Sequence, residues 1–235
     1  VVFAFTSSAQ LGGAKATASL NLGNLSLDED RYEGVEKSPY LFKEFAPAKV
    51  YDAKKDKWDS YSMNFNGYTG QFEFAHEGAT YELDVTYYDI IEIAKCEPNP
   101  DHPEKFTATS VRYEKGVDPA SPKTFQMLVY ENDEMAIFKK YESKLTERKS
   151  TDTGTGIKVT RFFAPMFSYY IVKDGDKNQV RLNKKFVENL DNEEATAFVK
   201  KNKMKLNSEK ELKELLLYYD DVTMVNSTMA KADTN

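Results

Sequence analysis

Between Pro39 and Leu182 apolar residues recur at alternate positions in short runs, and turn-forming residues separate the runs. That period of two predicts antiparallel strands, each with one buried face. Lys49–Asp52 reads as a strand, followed by the charged turn Lys54–Lys57. Trp58–Phe65 reads as the next, with Tyr61, Met63 and Phe65 on one face and Ser60, Ser62 and Asn64 on the other. Gly67–Gly70 turns the chain, and Gln71–Ala75 returns it with Phe72 and Phe74 on one face. His76–Gly78 is a second tight turn before a strand at Thr80–Leu83. Val85–Ala94 is apolar on both faces and predicts a buried central strand.

Pro98, Pro100 and Pro103 mark Cys96–Lys105 as a loop, and Gly116–Pro122 as a second one, with a strand at Phe106–Tyr113 between them. Asn132-Asp133 joins a hairpin of Phe125–Tyr130 and Glu134–Tyr141. The Ser/Thr/Gly composition of Ser150–Gly156 predicts a flexible loop. Strands at Val159–Phe163, Phe167–Val172 and Gln179–Leu182 complete the sheet, with Asp174-Gly175 as a turn. After Leu182 the period becomes helical. Asn183 caps a short helix to Leu190, Asp191 caps a second, and Ser208 with Glu211 forms the capping box of a third, which ends near residue 220. Helices this short need a surface to dock on. Phe163, Phe167, Tyr169 and Ile171 are the expected partners, with Lys200, Lys201, Lys203 and Lys205 left in solvent.

The expected fold is therefore mainly β (α+β): an antiparallel, twisted meander or open barrel of about ten strands, closed by two or three C-terminal helices. The apolar start Val1–Phe5 runs into Ser7-Ser8-Ala9, which reads as the end of a signal peptide with Gln10 as first mature residue. The expected organisation is a residual signal peptide at 1–9, a lead-in segment at 10–38, a β domain at 39–182, a helical subdomain at 183–220 and a disordered tail at 221–235. Export to the periplasm or beyond is the localisation this implies.

Composition narrows the chemistry. Fifteen Tyr and fifteen Phe favour sheet, and a net charge of −6 argues against nucleic acid as partner. No apolar run approaches the roughly 20 residues of a membrane-spanning helix. Two His and one Cys do not build an ordinary zinc site. The acidic turns Asp28–Asp30 and Asp174–Asp176 do not continue as calcium loops, and Gly154–Lys158 lacks the ending and helix of a phosphate loop. His76 and His102 lie outside any nucleophile-elbow context, and Cys96 reads as a structural thiol. No catalytic residue, metal or cofactor is assigned. Two surfaces remain as candidates. Trp58 and Tyr68 are aromatics suited to stacking on a sugar or peptide. Lys200, Lys201, Lys203 and Lys205 form a cationic run suited to an acidic surface or polymer.

Four stretches carry a resemblance: Ser38-Pro39-Tyr40-Leu41, the run from Asn64 to Phe74, residues 138–149 and residues 201–220. Together they resemble a family of secreted proteins of unassigned function that is widespread in Bacteroidota. The resemblance implies export and a strand-turn architecture, and it carries over no catalytic residue. The functional expectation is a non-catalytic exported envelope protein that binds an envelope protein or polysaccharide. The alternative is a secreted hydrolase of envelope or polysaccharide material using a carboxylate pair.

Overall fold

The computed structural model describes residues 26–28, 30–99, 102–152 and 156–232. The expected leader, most of the lead-in segment and the heart of the 150–156 loop fall outside them. Among the described residues twelve strands form one sheet. They are β1 (Ser26–Leu27), β2 (Val35–Glu36), β3 (Ala46–Asp52), β4 (Lys57–Asn66), β5 (Gln71–His76) and β6 (Ala79–Glu82). They continue as β7 (Ile90–Asn99), β8 (His102–Lys115), β9 (Phe125–Glu131), β10 (Met135–Asp152), β11 (Gly156–Lys173) and β12 (Asp176–Val180). A 3-10 helix (Lys184–Leu190), α1 (Glu193–Lys201) and α2 (Glu209–Ala232) follow. The protein is thus mainly β, with its helices at the C-terminal end. Among the described residues no helix is long and apolar enough to cross a membrane.

The spatial order β1-β6-β5-β4-β3-β7-β8-β9-β10-β11-β12 is close to a meander, with β2 added parallel to β11. The sheet is open but strongly curled. β4 and β10 are five places apart in that order, about 24 Å if the sheet were flat. Yet the rings of Phe65 and Tyr141 lie 6.2 Å apart. The Tyr141 hydroxyl donates to the Pro39 carbonyl at 3.2 Å, and the Ser143 amide to the Gly67 carbonyl at 2.8 Å. Gly67 permits this approach, because a Cβ there would stand 2.4 Å from the Tyr141 ring.

Alternation sorts the side chains as the pattern predicts. Met63, Phe65, Phe72 and Phe74 are buried together with Val50, Ile91, Ile93 and Tyr113 on the concave face. A second cluster joins the helices to the last strands. Met135, Ile137 and Ile171 meet Phe186, Leu190, Val199, Leu206, Leu212, Leu215 and Leu216. Of the expected docking partners, Ile171 sits in this core and Tyr169 hydrogen-bonds Glu209 on α2 at 2.9 Å. Phe163 packs instead against Tyr32 and Tyr68, and Phe167 against Tyr141. The four lysines at 200, 201, 203 and 205 are exposed.

Several boundaries differ from the sequence reading, each for a local reason. β7 runs through Pro98 to Asn99 and pairs with a β8 that begins at His102, so Cys96–Lys105 is not a loop. β3 covers β7 only up to Ile93, which leaves the outer edge of β7 unpaired at Pro98. Proline is tolerated on such an edge because its missing N–H has no ladder partner to lose. Pro165 repeats the case. It lies inside a continuous β11, between the residues paired to β2 and those paired to β12. The described ends of Ser150–Gly156 are strand as well, with Thr151 opposite Ile157 and Asp152 opposite Gly156. Residues 84–89 are a turn rather than strand. The Asp84 carboxylate accepts from the Thr86 amide at 2.9 Å, the local bond by which aspartate competes with a ladder. The second helix is capped by Asn192, whose side chain accepts from the Ala195 amide at 2.8 Å. Asp191 is the left-handed C-cap of the preceding helix, with φ 49°. α2 continues to Ala232, past the expected end near residue 220. The backbone of Cys96 belongs to β7, and its side chain lies outside the described set.

Candidate binding surface

β10 and β11 pair over 18 residues each, the longest pairing in the sheet. Their neighbours cover only part of that length. β9 reaches β10 at Ala136–Lys139, and β12 reaches β11 at Tyr169–Lys173. From Lys140 to Asp152 and from Gly156 to Ser168 the two strands form a ribbon, touched at one side by β2.

One face of the ribbon is covered in stages. Near its root Ile137 and Ile171 lie under the helices. At the seam Lys139 pairs with Glu209 and stands 4.0 Å over the Phe167 ring. Next, Tyr141 and Ser143 meet the β4–β5 turn, and Phe163 is sealed by Tyr32 and Tyr68 at ring distances of 5.2 and 5.3 Å. Beyond Phe163 the cover ends. Val159 is 49% exposed and Ile157 72%.

Among the described residues the β11 edge is also open there. β2 pairs parallel with it only at Arg161 and Phe162. Gly34 and Lys37, with φ of 73° and 64°, turn the chain away at either end. Beside β2 lies a shallow concavity of about 390 Å³, lined by Gly34, Glu36, Lys158, Val159, Thr160 and Arg161. The ribbon carries six cations against three carboxylates in a chain of net charge −6. Lys37 and Arg148 flank the Phe162 ring at 5.3 and 5.9 Å.

The aromatic pair proposed from sequence is not brought together. Trp58 stands near the start of the ten-residue β4 and Tyr68 in the turn after its end, so about 26 Å of strand from Trp58 to Asn66 separates the two places. Trp58 is 42% exposed and packs on Tyr51 at 5.2 Å. Tyr68 is 49% exposed and belongs to the aromatic cap over Phe163, at the edge of the ribbon surface. Lys200 and Lys201 in the last turn of α1, with Lys203 and Lys205 in the loop after it, form a separate surface.

A polar cluster that sequence reasoning missed holds the N-terminal segment to the outer face of β4 and β5. Buried Glu73 accepts from Arg31 Nη2 at 2.5 Å, the Tyr40 hydroxyl at 2.6 Å and Asn66 Nδ2 at 2.8 Å. Burial and this carboxylate push the Tyr40 phenol well up. Burial, with Glu73 directly across the strand pair, also raises the Glu82 carboxyl. Both Glu73 oxygens are occupied by fixed donors, which suits a clamp rather than a nucleophile. The cluster joins residues 33 to 42 positions apart, so no local pattern signals it. Compared with protein-family models, with curated proteins and with solved structures, the chain gives no match in any of the three.

Proposed function

We propose that this is a non-catalytic, exported envelope protein that holds a partner on the β10–β11 ribbon by strand addition. The observation that carries the reading is the outer edge of β11 at Gly156–Thr160, which no strand covers among the described residues, beside a β2 that occupies the same edge at Arg161–Phe162. Unpaired backbone donors and acceptors on an edge recruit an extended segment, and flanking side chains select it. The exposed Ile157 and Val159 supply apolar contact. Lys158 favours an acidic segment, whereas Arg161 already pairs with Glu147 across the ribbon at 3.1 Å. The hydrolase alternative has a counterpart in the cross-strand carboxylates Glu73 and Glu82, but the saturation of Glu73 favours the structural role.

The test is capture from envelope extract by the full chain and by an Ile157→Asp/Val159→Asp variant. A partner retained by the first and lost from the second is the expected result. The same set of proteins on both, with circular dichroism unchanged, removes the ribbon as the binding site.

A further inference from the structure

Four lysines occupy the six residues from 200 to 205, and all four are exposed. Among the described residues none of them forms an ion pair with a carboxylate, whereas Lys139, Lys140 and Lys115 each do. The backbone beneath them is pinned. The Asn202 amide donates to the Phe198 carbonyl at 3.0 Å, and the Met204 amide to Val199 at 3.1 Å. The Glu211 carboxylate accepts from the amides of Lys205 and Asn207 at 3.0 and 3.2 Å. Met204 and Leu206 are buried, so Lys203 and Lys205 alternate with two anchors.

Lys203 has φ 53°, one residue past the cap of α1. Glycine is the usual occupant of that place, because a Cβ in the left-handed region is unfavourable. Asp56, Asp174 and Asp191 adopt the same conformation, but aspartate tolerates it through local hydrogen bonding. Lys37, Glu77 and Leu206 adopt it as well, so the conformation by itself marks no function, but glycine at 203 would suit the backbone better.

We propose that the 200–205 loop docks the protein on an anionic membrane surface, with lipid phosphate headgroups as the ligand chemistry. No arginine occurs after Arg181. Arginine grips one carboxylate or phosphate with a planar fork, whereas lysine is a compact point charge. Four such charges on a fixed loop suit a field of many mobile anions better than one oriented group. The chain as a whole carries −6, so its acidic faces are repelled; of its two cationic surfaces, residues 200–205 hold no carboxylate, whereas the β10–β11 ribbon holds three. The site shares no residue with the β10–β11 ribbon, and either can fail without the other.

The experiment is co-sedimentation of the full chain with phosphatidylglycerol vesicles and with phosphatidylcholine vesicles at low ionic strength. Each lysine near such a surface is worth about fivefold in partition. The chain should pellet with the anionic vesicles alone and be released by salt. Replacing all four lysines by glutamine should abolish pelleting. Lys203→Gly should raise the melting temperature and weaken partition about fivefold, a pairing of effects that a merely structural lysine does not give. Equal pelleting with both lipids overturns the proposal, as does no pelleting with either. So does a quadruple variant that pellets like the parent, or a Lys203→Gly chain with unchanged partition. Displacement by inorganic phosphate at matched ionic strength would assign the loop to free phosphate instead and also overturn it.

Discussion

At the scale of the residue, the Arg31–Glu73 clamp is the most exacting contact in the molecule. Glu73 is almost fully buried, and Arg31 is its only cation among the described residues. Removing one member of a buried pair leaves the other charge uncompensated, at roughly 3–5 kcal/mol. Arg31→Met should lower stability by that order in urea unfolding, and a loss under about 1 kcal/mol would mean that Tyr40 and Asn66 suffice. Gly67 offers a steric counterpart. Its missing Cβ leaves room for Tyr141, so Gly67→Ala should destabilise by about 1–3 kcal/mol, readable as a lower melting temperature. The alternation of Met63, Asn64, Phe65 and Asn66 along β4 was legible in sequence. That the Asn64 and Asn66 face is itself buried was not, because the cover comes from Arg31, Tyr32, Tyr40 and Phe42, segments with no pattern of their own.

At the scale of the element, α2 is fixed to the sheet by apolar packing and by carboxylates. Leu215 is fully buried, and Leu215→Ala should cost about 2–5 kcal/mol, whereas Lys201→Ala at the exposed end of α1 should barely change the melting temperature. Burial works to raise the Glu209 carboxyl, but hydrogen bonds from Lys139 and Tyr169 outweigh it and hold the group below its ordinary 4.5. Asp118 is likewise held below 3.8 against its burial, by Lys140, the Ala120 amide and Tyr170. A depressed carboxylate stabilises the fold above its unfolded value and loses that stabilisation as pH falls through the folded one. Stability should therefore decline as pH drops from about 4.5. Glu209→Gln should flatten the part of that decline owed to this residue, as followed by thermal melts across pH. The capping box at Ser208 and Glu211 was readable because its spacing is local. The strands through Pro98 and Pro165 were not, because proline excludes a strand only where its N–H has a partner to lose. Which edge is free depends on neighbours distant in sequence.

At the scale of the whole molecule, two apolar clusters share the β9–β10 region, with Phe125 in one and Met135 and Ile137 in the other. Buried tyrosines tie both. Burial, with Glu134 beside it, pushes the Tyr219 phenol up to about 12. Burial likewise raises Tyr113 in the concave core and Tyr130 beside Asp220. A raised group gives its full stabilisation below the unfolded value, here 10.0 for Tyr219, and loses it as pH rises toward the folded value. The phenolate absorbance owed to Tyr219, read as the difference between the parent and a Tyr219→Phe variant, should therefore develop with the loss of near-ultraviolet circular dichroism above pH 10 rather than before it. Ionisation of that one tyrosine in an intact fold would contradict this. The long β10–β11 pairing has a mechanical consequence too. A load applied along the ribbon axis, between its tip and α2, acts in shear and must break many rungs at once. A load across the axis peels them one by one. Pulled in the two directions by single-molecule force spectroscopy, the protein should resist the axial load far better. The ribbon would then serve as a tether stiff in one direction and easily unzipped in the other.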